Sequence, residues 1–191
     1  MEYTKETLEK MYKEGDTPWD YGKPYKELIE FANNPCRALD VGCGTGTDAI
    51  FLAQRGYNVS AIDISEEAIK IAKSRSQEVD FRVADVLNLP FEDETFEFVN
   101  DNGCFHQLDS SKWNKFIKEV ARVMKPKAKY LMKCFSDEEP HNPRLPYRLS
   151  KETIREYFSK YFNIIYIKPT VIEGKIYGDH KGYSCLMEKK I

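Results

Sequence analysis

Three carboxylates in this chain stand where they can meet a ligand, and a fourth acid lies in a polar stretch beyond them. Asp40 belongs to the short apolar run 38–41 and shortly precedes Gly42, Gly44 and Gly46. Asp63 closes the run 57–63, Asp85 with Val86 comes after the run 79–84, and Asp101 lies in the polar stretch 100–108 with Gly103 and His106. Glycines at alternate positions let the backbone take positive φ and approach a bound molecule, and a helix that starts there presents free N–H groups. A dinucleotide site asks for G-x-G-x-x-G/A at such a turn. Read from Gly42 the pattern fails at Thr47; read from Gly44 it is met by Gly46 and Ala49, so spacing does not decide. The charge of Asp40 does, because a carboxylate beside the turn repels a pyrophosphate and welcomes an ammonium group. A ligand with a cationic head and a nucleoside tail fits better than NAD.

His106 is the candidate catalytic base, since an imidazole of ordinary pKa takes up protons near neutrality. Its structural alternative is a ring that orients the loop through a backbone hydrogen bond. Cys104 has no His/Asn partner pattern around it and reads as a small buried hydrophobe rather than a nucleophile. No His/Cys/acid cluster has metal-ligand spacing, so no metal is expected.

For these residues to converge, the runs that carry them must be neighbouring strands with the acids at their carboxyl ends. Residues 38–41, 57–63, 79–84, 96–99 and 128–135 read as five strands, with helices between them. One helix holds Ala49, Ile50, Leu52 and Ala53 and is closed by Gly56; another is capped by Ser65, with Glu66 and Glu67 in its first turn. The clearest places Trp113, Phe116, Ile117, Val120, Ala121 and Met124 on one face, with Ser110 or Ser111 as cap and Pro126 as terminator. Ser150 caps a further helix to about Tyr161. Residues 162–167 and 182–187 read as two last strands, joined through Glu173-Gly174 and Tyr177-Gly178-Asp179. Residues 4–14 and 25–32 read as helices preceding the first strand. The stretch 136–149, with Pro140, Pro143 and Pro146, is a long loop of the kind that is usually functional; His141, His180, Arg144 and Arg148 read as solvated. Alternating strand and helix followed by a hairpin-like pair predicts an α/β doubly wound sheet, mostly parallel, with one antiparallel strand near the C-terminus.

Composition narrows the partners. A chain of 191 residues, 41% hydrophobic and 31% charged, reads as one globular domain. A formal net charge of −2 supplies no basic field for nucleic acid or an anionic membrane. No apolar run approaches the ~20 residues of a membrane span, and the first residues lack a signal-peptide core. Five cysteines without a C-x-x-C pair predict reduced thiols and a cytoplasmic setting.

The acid followed by G-x-G-x-G at Asp40, Gly42, Gly44 and Gly46, with Asp63 and Asp85 downstream, resembles the class I S-adenosylmethionine-dependent methyltransferases. The resemblance implies a seven-stranded Rossmann-like fold. It implies that S-adenosylmethionine, leaving as S-adenosylhomocysteine, is held by Asp40, Gly42 and Gly44, by Asp63 and Ile64 at the ribose, and by Asp85 and Val86 at the adenine. Asp101 would add a backbone carbonyl near the ammonium group. Residues 15–22, G-x-T-P-W-D-x-G, are similar to the amino-terminal signature of the thiol, thiocyanate and halide methyltransferases, which implies that Trp19 lies against the cofactor. The implied layout is one domain: a lid over 1–34, a cofactor-binding core over 35–135, an acceptor-side loop over 136–149, and a helix and hairpin over 150–191. The implied acceptor is a small molecule, most readily a thiol, with no nucleic acid and no membrane involved. Asp101-x-Gly103-x-x-His106 looks more like small-molecule methyltransferases of quinone and phenol metabolism, which keeps oxygen and nitrogen acceptors open. A cofactor-binding sensor without catalysis is the reading from a different class.

Overall fold

A computed structural model describes residues 3–140, 145–173 and 178–191. His141, Pro143, Arg144, Gly174 and Tyr177, singled out above, lie outside them.

Five strands run parallel: β1 (Arg37–Val41), β2 (Asn58–Asp63), β3 (Asp80–Val83), β4 (Phe96–Asn102) and β5 (Met124–Phe135). The hairpin of β6 (Phe162–Ile172) and β7 (His180–Lys189) completes a seven-stranded sheet of order β3-β2-β1-β4-β5-β7-β6. β7 runs antiparallel to both its neighbours and is the one reversed strand, as expected.

Side-chain alternation divides the core into two layers. Ala38, Phe98 and Leu131 face α2 (Lys26–Phe31), α3 (Thr47–Gln54) and α4 (Glu66–Arg75). Leu39, Val99 and Met132 face α5 (Trp113–Val123) and α6 (Lys151–Phe158). The α5 stripe is buried along its length, with Phe116 and Val120 fully enclosed. Each such side chain contributes roughly 1.5–3 kcal/mol of burial, which is what holds this helix to the sheet.

Local chemistry sets the ends. Ser65 Oγ accepts from the Ala68 N–H at 3.1 Å and caps α4 as predicted. Ahead of α5 the cap is Asp109, not Ser110 or Ser111. Its carboxylate accepts from Ser111 N–H at 2.9 Å and opens a 3-10 turn, Ser110–Lys112, that delivers Trp113 into the helix. Met124 leaves the helix and begins β5, and Pro126 lies inside that strand rather than ending α5. The proline is tolerated because the register between β4 and β5 shifts between Phe96 and Phe98, so its missing N–H breaks no regular ladder there. β4 also runs three residues further than the apolar pattern, to Asn102, because its polar end finds partners within the fold.

The amino-terminal segment folds back over the strand ends. α1 (Lys5–Glu14) lies on α4, where Glu9 Oε2 accepts from Ser65 Oγ at 2.6 Å and from Glu67 N–H at 3.3 Å. Beyond it, Asp20 Oδ2 accepts from Thr45 Oγ1 at 2.5 Å, and Arg75 donates to the Thr45 carbonyl at 2.8 Å. Helix, loop and glycine turn are thereby tied together.

Candidate active site

A cleft of about 1160 Å³ runs along the carboxyl ends of the strands, beneath α1 and the loop that carries Trp19. Pockets for one small ligand span roughly 300–1,000 Å³, so this one has room for a nucleoside-sized molecule and a second one beside it. Asp40, Gly42, Gly44, Asp63, Ile64, Asp85, Val86, Trp19 and His106 all line it; Asp101 does not.

The turn between β1 and α3 forms the floor. Gly42 and Gly44 have φ of 66° and 53°. A Cβ on Gly42 would stand 2.8 Å from Cys104 Sγ, and one on Gly44 2.8 Å from the Tyr12 hydroxyl. These glycines are therefore demanded by the protein's own neighbours as well as by the backbone conformation.

Asp40 is buried at the end of β1. Its Oδ1 accepts from Asn100 Nδ2 at 2.7 Å, and Asn100 Oδ1 accepts from the Tyr25 hydroxyl at 2.6 Å. Oδ2 has no partner among the described residues. Asp48, in the first turn of α3, repeats the arrangement: Oδ2 accepts from Asn102 Nδ2 at 2.9 Å and Oδ1 is unpartnered. Burial, reinforced by the charge of Asp48, holds the Asp40 carboxyl well above the usual carboxylate range. Burial pushes Asp48 up to about 6. A buried carboxylate oxygen without a donor is costly, and a cationic group entering the cleft relieves two of them. The donor set therefore fits a ligand with an ammonium head.

Asp63 is saturated differently. Its two oxygens accept from Gly44 N–H and Ser65 N–H, each at 2.9 Å, which ties the end of β2 to the glycine turn. Each oxygen keeps a further lone pair for a hydroxyl donor. Asp85 is exposed and closes a turn by accepting from Leu87 N–H at 2.8 Å, while Val86 beside it is buried. Trp19 donates its indole N–H to Tyr12 Oη at 3.2 Å and meets the Tyr3 and Tyr12 rings at 5.7 and 6.0 Å.

The surroundings of His106 match its structural alternative, a ring held by a backbone hydrogen bond. The ring is buried, and its Nδ1 accepts from the Phe135 backbone N–H at 3.2 Å, which leaves the proton on Nε2. Burial lowers its pKa to about 3. The imidazole is thus neutral and carries its one proton on Nε2. Gln107 lies with its amide nitrogen 3.5 Å from Nε2 and its Oε1 unpartnered; exchanging the two ends of that amide pairs the oxygen with the imidazole N–H. Asp101 is likewise turned away. Its carboxylate accepts from Cys104 N–H and from the Tyr130 hydroxyl, each at 2.7 Å, and so shapes the loop that carries His106.

Residues beyond the predicted set complete the walls: Tyr12, Tyr25, Asp48, Asn102 and Lys133. Lys133 left a signal, being a charge inside the apolar run 131–135. Asp48 left none, since an acid in a helix's first turn is ordinary. Among the described residues no cluster of His, Cys, Asp and Glu is placed to hold a metal ion.

Residues 38–127 match a family model described as a methyltransferase domain. A 2-heptyl-1-hydroxyquinolin-4(1H)-one methyltransferase of Mycobacteroides abscessus is 30% identical over 176 residues, covering 87% of this chain and 75% of that protein. Norajmaline N-methyltransferase of Rauvolfia serpentina is 37% identical over 116 residues, covering 53% of this chain and 39% of the relative. Among solved structures, the Burkholderia thailandensis 1,6-didemethyltoxoflavin-N1-methyltransferase, with its substrate and S-adenosylhomocysteine bound, superposes with a TM-score of 0.80 at 18% identity, covering 98% of this chain and 87% of that one.

Proposed function

The chain belongs to the S-adenosylmethionine-dependent methyltransferases that act on small molecules, and we propose that its acceptor is a thiol. The observation that carries this reading is the neutral His106, whose one lone pair is already engaged by Phe135. An acceptor in this cleft must arrive with a nucleophilic electron pair that needs no base, and thiols, with a pKa of ~8.5, supply thiolate at neutral pH without help. An acidic hydroxyl is the second reading. It is favoured by the Mycobacteroides relative, whose named substrate carries a hydroxyl on nitrogen.

S-adenosylmethionine supplies an electrophilic methyl on a sulfonium whose charge is lost as the new bond forms. The unpartnered oxygens of Asp40 and Asp48 receive its ammonium group. Asp63 and Ile64 take the ribose, Asp85 and Val86 the adenine, and the backbone of Gly42 and Gly44 underlies the link between them. Trp19 and Tyr12 cover the sulfonium end, where an aromatic face attracts a cation and excludes water. His106 lies on the acceptor side with its one N–H directed to Gln107, and Asp101 holds the loop on which both stand. Catalysis on this account rests on alignment and dryness rather than on proton transfer.

Among the described residues no helix is long and apolar enough to cross a membrane. The five free thiols suit a reducing compartment, the cytoplasm. The test is calorimetric titration with S-adenosylmethionine, S-adenosylhomocysteine and NAD, followed by methyl transfer to matched thiols and phenols. We expect binding of the first two, no binding of NAD, and transfer to thiols. Transfer to phenols alone moves the acceptor to oxygen, and binding without transfer to any acceptor leaves a sensor.

A further inference from the structure

Lys133 is the one lysine or arginine that is buried among the described residues, at 8% exposure. It stands near the carboxyl end of β5, level with Asn102 of β4 and Ser184 of β7. Two other lysines of β5 are matched: Lys125 pairs with Glu97 and Lys129 with Glu188. Lys133 makes no ion pair and donates no hydrogen bond among the described residues; its ammonium lies 5.1 Å from the centroid of the Tyr25 ring and borders the cleft. Glu27, Asp48 and Glu173 surround it beyond contact range and favour its charge, while burial acts more strongly against it. A desolvated cation facing a cleft without a counter-ion is as costly as an orphaned carboxylate. It calls for an anion.

Position indicates which molecule brings that anion. Of the acids assigned to the cofactor, Asp40, Asp63 and Asp85 sit at or just beyond the ends of β1, β2 and β3, on one side of the sheet order, and Asp48 opens α3, reached by Asn102. Lys133 lies two strands beyond β1, between Asn102 and the β6–β7 hairpin, in the half of the cleft left for the acceptor. We propose that Lys133 anchors an acidic group of the methyl acceptor, so that the preferred substrate is a small nucleophile that also carries a carboxylate. This rests on the methyl-transfer reading for its location, not for its chemistry. The same ammonium would meet the cofactor's own α-carboxylate if that end of the molecule reached β5.

The experiment separates these sources. 2-Mercaptobenzoate and thiophenol are titrated into protein saturated with S-adenosylhomocysteine, using wild type, Lys133→Met and Lys133→Arg. S-adenosylhomocysteine affinity is measured on each protein first, which also reports folding. We expect wild type to bind the carboxylate at least about tenfold tighter than thiophenol, Lys133→Met to lose that preference, and Lys133→Arg to keep most of it, with cofactor affinity changed less than about twofold. Equal affinity for the two thiols in wild type, no measurable binding of the carboxylate, or a preference that survives Lys133→Met overturns the proposal. So does a large loss of S-adenosylhomocysteine affinity in Lys133→Met with the thiol ratio intact, which would give the lysine to the cofactor. Acid-selective, Lys133-dependent binding without methyl transfer overturns the thiol-acceptor reading and leaves the anchor standing.

Discussion

His106 shows how one hydrogen bond assigns a residue's role. With Nδ1 held by Phe135 N–H and the ring buried, its resonances should not titrate between pH 8 and pH 5, where an ordinary imidazole with a pKa near ~6.5 would. The His106 Hε1 chemical shift, followed by NMR, checks this directly. His106→Asn should then lower turnover by less than the ~100-fold that removal of a general base costs. A titrating signal near neutrality would restore the base. At this scale residue types were legible and directions were not. Asp40, Asp63 and Asp85 could be read as ligand-facing because each follows an apolar run. Asp101 follows one too, but strand parity turns it the other way. Along β4 the residues 100 and 102 share the face of Phe98, and 101 shares that of Val99. Asn100 and Asn102 therefore serve the two unpartnered acids, while Asp101 serves its own loop.

Among elements, α1 is the one whose place sequence pattern could not supply. Its polar composition gave a helix at 4–14 but no docking site, because the contact to α4 is made by a carboxylate. Glu9 reaches the amino end of α4, adding a charged acceptor to the cap that Ser65 already makes. Glu9→Ala should lower stability by up to about 1 kcal/mol and raise the dissociation constant for S-adenosylhomocysteine, since α1 carries Tyr12 over Gly44. Thermal melting and calorimetry read the two effects. A stability loss with unchanged affinity would mean that α1 is not a wall of the site. The other elements were legible where period and apolar content agreed, as in α5. They were misjudged where a polar strand end or an interior proline imitated a loop, as at 100–102 and 126.

The whole molecule carries an electrostatic load in its ligand-free form. Asp40, Asp48, Asp63 and Asp101 are all buried, and burial raises the pKa of each. For Asp48 and Asp101, held at about 6 against an unfolded value near ~3.9, the sign follows from linkage. A raised carboxylate favours the fold fully below the unfolded pKa, and the benefit is lost as pH rises through the folded one. Asp48→Asn should therefore stabilise the ligand-free protein at pH 7, on the order of 2 kcal/mol, with the gain shrinking as pH falls towards 4. The same substitution should weaken S-adenosylhomocysteine binding. Scanning calorimetry with and without ligand tests both, and a variant less stable than wild type at pH 7 contradicts the account. The fold was legible at this scale because strand–helix alternation constrains topology strongly, whereas the strain in the site arises only from what burial does to charges. The latch between Tyr12 and Gly44 adds a consequence in time. Tyr12 is the one buried side chain of α1, and polar ties hold the rest of that helix. On the proposed function, in which α1 covers the cofactor, the residence of a molecule lodged between α1 and the strand ends depends on those few ties. Weakening them shortens the stay of product as well as substrate.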